Sequence, residues 1–222
     1  MPFLLRAALV EYGSGLIGPI PNIVIFQFNP ESLTRSLNIP QRPTSANTRE
    51  SSQSGESTTE SISFKASFSA ADELGDNKFL AHAFGVGPRL CALEKMAQPS
   101  SLIAGAIGAA LDKIGGAIAG ATGDPAQAIP RENYPKIIFI WGLTRVLPVN
   151  ITSMRITEIQ YDFLLNPTQA DVDIELTVNA ADACSDDEFA KGALLYSTIA
   201  KEAQAMANLA NTAEQIVELI PF

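Results

Sequence analysis

Few residues in this sequence have the type and spacing that chemistry requires. The run from Gly13 to Gly18, GSGLIG, matches the G-x-G-x-x-G pattern that brings backbone amides against a pyrophosphate. That use needs a helix opening at the third glycine, and Pro19-Ile20-Pro21 forbids one, so the run reads as a loop. The single histidine, His82, stands among Leu80, Ala83 and Phe84 on a predicted helix. One ring excludes a multi-histidine metal site, and a packed or surface histidine is a simpler reading than the centre of a triad. Asp171, Asp173 and Glu175 share one face of a predicted strand, which suits a solvated surface. Asp186, Asp187 and Glu188 open a predicted helix, where carboxylates complement the positive end of the dipole. Neither group places two carboxyls in environments different enough to divide acid from base. Cys91 and Cys184 show no metal or redox spacing and are expected as two buried thiols in a reducing compartment. Asn150-Ile151-Thr152 is a glycosylation sequon by letter only. No catalytic, cofactor-binding or metal-ligating set is assigned, and the chain is not expected to be an enzyme.

What remains is architecture. The 222 residues carry a net charge of -9 and no cluster of Lys or Arg, which argues against a nucleic-acid partner. The opening MPFLLRAALVEYGSG lacks a basic region before its apolar run and alternates, so Phe3 to Tyr12 is read as the first strand rather than a secretory signal.

Ile23 to Phe28 alternates, with Val24, Phe26 and Phe28 expected on the core face, and Pro30 must end that strand. Leu33 to Ile39 predicts a second strand, 41–61 a long polar loop, and Ile62 to Ala70 a half-buried strand. Asp76 is expected to cap a short helix carrying Phe79, Leu80, Ala83 and Phe84. Pro88 suits the first turn of a further helix with Leu90, Leu93 and Ala97 inward, so that helices span 76–98. Strands return in KIIFIWG, LPVNITSMRITEIQYDF and ADVDIELTVNA. A long Ala-rich amphipathic helix closes the chain over 185–220.

The Ala/Gly-rich segment 101–123 has the length of a membrane span. Asp112 and Lys113 at its centre would each cost about 2.5–3.5 kcal/mol on insertion. A pliable insertion or inter-subunit helix is the preferred reading, and a membrane-active or cargo protein using this segment is the alternative of a different class.

Taken in order, FQFNPESL, a polar loop, SISFKASFSA, GPRLCALEKMAQP, PKIIFIWG and VNITSMRITEIQYDFLLNPTQADVDIELTV make a recognisable series. The series resembles the tube-domain family of phage-tail-like contractile injection systems. Within it the chain is most similar to adaptors that initiate the inner tube above the spike, as in antifeeding-prophage-type particles. Phe26, Phe28, Asn29 and Pro30 fall on the family's FNP turn, and Trp141-Gly142 on its WG strand end. Asn166 to Ala170 stands where members carry a G-x-P-x-R-A-like turn, with Gln169 in place of the arginine. The long helix stands where many such adaptors carry a LysM module.

The resemblance implies a mainly β fold with flanking helices (α+β), a tail-tube-like antiparallel sandwich or barrel over 1–180 followed by the 185–220 helix. It further implies a hexameric ring joining the inner tube on one face to spike, hub or baseplate proteins on the other, or else another inner-tube ring. Assembly would take place in the bacterial cytoplasm, with no cofactor and no expected membrane contact by this subunit.

Overall fold

A computed structural model describes residues 5–12, 22–40, 58–98, 134–179 and 187–219. The Gly13–Gly18 run, Cys184, Asp186, most of the 41–61 loop and the whole 101–123 segment lie outside the described residues. The elements in chain order are β1 (Ala8–Tyr12), β2 (Ile23–Ile25), β3 (Leu33–Asn38), β4 (Thr59–Ser69), α1 (Ala71–Gly75), α2 (Phe79–Phe84), α3 (Gly87–Ala97), β5 (Lys136–Trp141), β6 (Arg145–Tyr161), β7 (Pro167–Val178) and α4 (Glu188–Leu219).

The strands form one antiparallel sheet in the order β2-β1-β5-β6-β7-β4-β3. Among the described residues its hydrogen-bond ladder does not close, so of the expected sandwich or barrel the barrel is corrected to an open sheet. The sheet nevertheless folds over on itself. Phe64 of β4 and Phe139 of β5 stack with ring centroids 5.4 Å apart, although two strands separate β4 from β5 in the ladder. The inner face thus becomes a core of Ile62, Phe64, Ala66 and Phe68 from β4, Val172, Ile174 and Leu176 from β7, and Leu147 and Val149 from β6. Leu90, Leu93 and Met96 of α3 join it, with Met96 taking the inward place expected of Ala97.

Strand β6 bends through a bulge at Thr152, where Ile151 faces Leu176 but Ser153 faces Glu175. The extra residue resets the alternation, so that Met154 and Ile156 again pack inward. Strand β5 is buried on both faces, which accounts for its unbroken apolar run Ile137-Ile138-Phe139.

Three local expectations are corrected. Helix α2 has Lys78, not Asp76, at its N-cap, and it buries Ala81 while Phe79, Leu80 and Phe84 are exposed. The strand expected over Ile23 to Phe28 stops at Ile25, three residues short of Phe28. Cys91 is exposed on α3 rather than buried.

The first half of α4 is fastened to the domain by polar contacts. Asp187 accepts from the Ala190 N–H at 3.1 Å, as an N-terminal cap should, and from the Tyr12 hydroxyl at 3.0 Å, and it pairs with Lys136 at 2.8 Å. The buried Ser197 hydroxyl donates to the Val146 carbonyl and accepts from the Val146 N–H, at 2.7 and 2.8 Å. Lys201 reaches Glu60 on β4 at 3.0 Å.

Candidate interaction sites

The segments around Phe26 to Pro30 and Trp141-Gly142 build a seam across the open side of the folded sheet. Strands β2 and β3 are consecutive in the chain but lie at opposite edges of the sheet, so residues 26–32 must travel from one edge to the other. Each side chain in the first part of that path makes a different attachment. Phe26 is fully buried, 5.3 Å from the Phe64 ring and 6.3 Å from Phe68. Gln27 turns the other way, where its carbonyl oxygen accepts from the Ser69 N–H at 2.9 Å and from Arg89 at 3.3 Å. Asn29 faces β1: its amide donates to the Leu5 carbonyl at 2.8 Å and accepts from the Ala7 N–H at 3.1 Å.

The Asn29 contacts explain the residue type. A carboxamide presents one donor and one acceptor side by side, as a peptide group does. The Phe26 N–H already continues the β1–β2 ladder by bonding the Ala7 carbonyl at 2.9 Å. Asn29 adds a further rung with its side chain, and Pro30, lacking an N–H, closes the strand.

Phe28 does not join the core. It is 49% exposed and lines an open groove of about 500 Å³ with Asn29, Pro30, Lys65, Ser67 and Asp171. The placement of Phe28 inward is therefore corrected; the strand period ended before it.

The second motif meets the first through residues that sequence reading had treated only as strand positions. Trp141 lies 6.2 Å from Phe64 and 5.8 Å from Phe139, while Phe64 also touches Phe26. Gly142 follows at φ +67°, in the left-handed region, and turns the chain from β5 into β6. The FNP and WG segments are thus joined by Phe64 and Phe139. The signal that could have found this link is the aromatic spacing in SISFKASFSA and KIIFIWG.

The outer face of β3, β4, β7 and β6 is polar throughout. Across its registers stand Thr34 and Ser36, then Ser61, Ser63, Lys65 and Ser67, then Asp171, Asp173, Glu175 and Thr177, then Ser153, Arg155 and Thr157. Lys65 and Ser67 hold Asp171 at 2.8 Å each, and together they keep its carboxyl below the ordinary range. Asp171 is thus ion-paired across the strands, with Asp173 and Glu175 beside it on the same face.

At one end of the sheet the β6–β7 turn presents Phe163, Leu164 and Leu165, with Phe163 91% exposed. The turn is held rigidly from below. Asp162 accepts from the Leu164 and Asn166 N–H groups at 2.7 and 2.8 Å, and Asn166 donates to the Ala83 carbonyl of α2 at 3.1 Å. The Asn166 side-chain amide also donates to Asp162 at 2.9 Å, and this bond, with the two backbone N–H groups, lowers the Asp162 pKa. Leu165 is held at φ +64°, an uncommon conformation for a side-chain-bearing residue. The region where an R-A-like turn was expected is different here, because Asn166 finishes the turn and Pro167 already opens β7.

Glu60 is a buried carboxylate near the start of β4. Burial pushes its pKa up, but hydrogen bonds from Arg35 at 2.6 Å and Lys201 at 3.0 Å outweigh this and leave it lowered. A lowered folded value means that the contribution is complete above the ordinary value of 4.5 and fades as pH falls through the folded value. The Glu60→Gln variant should therefore lose stability at pH 7, while its deficit against the parent narrows in melts run progressively below pH 4.5. A deficit of constant size across that range would remove Glu60 from the acid response.

His82 is exposed, 3.3 Å from the Asn77 carboxamide oxygen. Among the described residues, no three His, Cys, Asp or Glu side chains converge to hold a metal ion. Among the same residues, no helix is long and apolar enough to cross a membrane.

No family model matches. Comparison with curated proteins likewise finds no match.

Proposed function

We propose that this chain is a structural ring subunit of a contractile injection system, joining the inner tube to the spike or baseplate hub and carrying out no catalysis. The observation that carries the reading is the four-stranded polar face ending at an open β3 edge. A face of Ser, Thr, Asp, Glu and Lys suits the wall of a water-filled lumen through which cargo passes. The two edges, β2 and β3, are unlike one another. Contact between unlike edges is heterologous, and repeated head to tail it closes into a ring when the rotation permits. A closed ring also covers edges that would otherwise template aggregation. Six copies, inner-tube proteins on one side and hub proteins on the other, are the arrangement that the FNP and WG resemblance implies. The apolar β6–β7 tip offers a stacking contact, and assembly would occur in the bacterial cytoplasm before the particle leaves it.

The test uses two side chains at the β3 edge, Leu37 and Ile39, which are 57% and 71% exposed. The doubly substituted Leu37→Lys, Ile39→Lys chain should melt within a few degrees of the parent, because neither side chain is in the core. It should form hexamer-sized rings, scored by native mass and electron microscopy, at least about tenfold less readily, since edge lysines oppose strand pairing. A parent chain that stays strictly monomeric and is absent from assembled particles would defeat the ring reading.

A further inference from the structure

Helix α4 continues well past the contacts that fasten it. Ala193 and Ser197 are buried against the domain and Lys201 reaches Glu60, whereas every residue from Glu202 to Leu209 is exposed. On the far side of the helix runs an apolar stripe of Leu195, Ile199, Met206 and Leu209, at 61, 56, 69 and 68% exposure. At 3.6 residues per turn the stripe lies about half a turn from Ala193 and Ser197. It therefore faces away from the sheet. On the side that carries Ser197 the free half bears Gln204 and Asn208, which are polar and suited to water. The stripe belongs to no core of this chain's described residues.

Its spacing is also informative. Leu195, Ile199, Glu202, Met206 and Leu209 follow one another at four, three, four and three residues, the seam of a helix that packs along a second long element. One position in the seam is a carboxylate. From Glu202 to Phe222 the chain carries Glu202, Glu214 and Glu218 and not one Lys or Arg. Lys201, the nearest cation, is already engaged with Glu60.

We propose that the free half of α4 is a docking helix for a different protein, one that offers an apolar groove with a lysine or arginine opposite Glu202. Charge selects this occupant. A helix lying on a membrane carries Lys and Arg on its polar face, and this half carries neither. A second copy packed side by side and parallel would set Glu202 against Glu202, a like-charge pair inside an apolar seam. A partner cation removes that cost and fixes the register. The proposal stands apart from the ring reading, since a monomeric subunit could dock its helix equally well.

The experiment places a photoreactive benzoylphenylalanine at Met206 of the full chain, expressed in the cells that make it, with Gln204 as the control position. On irradiation the Met206 probe should give one adduct with a different protein, mapped by mass spectrometry to an apolar segment containing Lys or Arg, and the Gln204 probe should give none. Glu202→Lys should cut the adduct at least tenfold without changing the melting temperature. Exchanging the mapped cation for Glu should then restore it. An adduct of twice the chain's mass, an adduct with lipid, no adduct, or an adduct indifferent to Glu202→Lys would each overturn the proposal. Ring formation is scored separately by native mass on the same sample, so the two ideas can fail independently.

Discussion

Phe26→Ala should destabilise the protein by about 3–5 kcal/mol, the range for deleting a fully buried aromatic. Phe26 has no exposed surface and touches both Phe64 and Phe68. Phe64 in turn touches Phe139 and Trp141. The cavity would therefore open at the point where the two halves of the folded sheet meet. Each half is pinned by its own strand pairings within the sheet, so the walls cannot collapse freely to fill the gap, which favours the upper part of the range. Phe28→Ala, two residues along, should change stability by no more than about 0.5 kcal/mol, because Phe28 stands at the surface. Denaturant titrations of the two variants decide the matter. Equal losses would show that the alternation through FQFNP does not place one ring inside and the other outside.

Gly85→Ala should be of similar size, about 2–6 kcal/mol, by an unrelated route. Gly85 ends α2 at φ +59° and ψ −130°, a sparsely populated region that costs a side-chain-bearing residue about 1–3 kcal/mol. A Cβ there would also stand 2.1 Å from the Pro167 carbonyl oxygen, a backbone atom that cannot swing aside. The same carbonyl accepts from the Val86 N–H at 2.8 Å, so relieving the clash would break the bond that seats α3 against β7. Overpacking of this kind adds about 1–3 kcal/mol. Gly142→Ala is the matched comparison. Gly142 has φ +67° but nothing within 4 Å of an added Cβ, so it should show the backbone cost alone. If both variants melt together, the contact with Pro167 contributes nothing.

The strands with clean alternation were legible in the sequence, and β4 and β7 show why. Their Ser, Thr and acid positions alternate strictly with Ile, Phe, Val and Leu, and the two faces of the sheet follow. Strand β6 was harder because the bulge at Thr152 shifts the period by one, so no single template fits VNITSMRITEIQY. Helix α2 shows a different limit. Its apolar residues have helical spacing yet Phe79, Leu80 and Phe84 are exposed, because periodicity reports a shared face without saying whether that face is covered. The seam was half legible. Asn29-Pro30 marked where the strand ends, while the Asn29 contacts with Leu5 and Ala7 depend on a strand order that no local pattern encodes.

That strand order also governs how the chain can come together during synthesis. Strands β1 to β4 leave the ribosome first, yet β1 must wait for β5 and β4 must wait for β7. Only the small β1–β2 and β3–β4 pairs can form in the interval. The β5–β6 and β6–β7 hairpins, closed by the short turns 142–144 and 162–166, have the lowest costs of loop closure and are suited to form as soon as each is complete. They then supply β7 to β4 on one side and bring β5 to β1 on the other. Residues 26–32 already tie those two waiting pairs together, so the last ladder to form turns a slack tether into a stretched one. The early strands spend their unpaired time as two tethered hairpins, which makes that interval the stage of folding most exposed to aggregation.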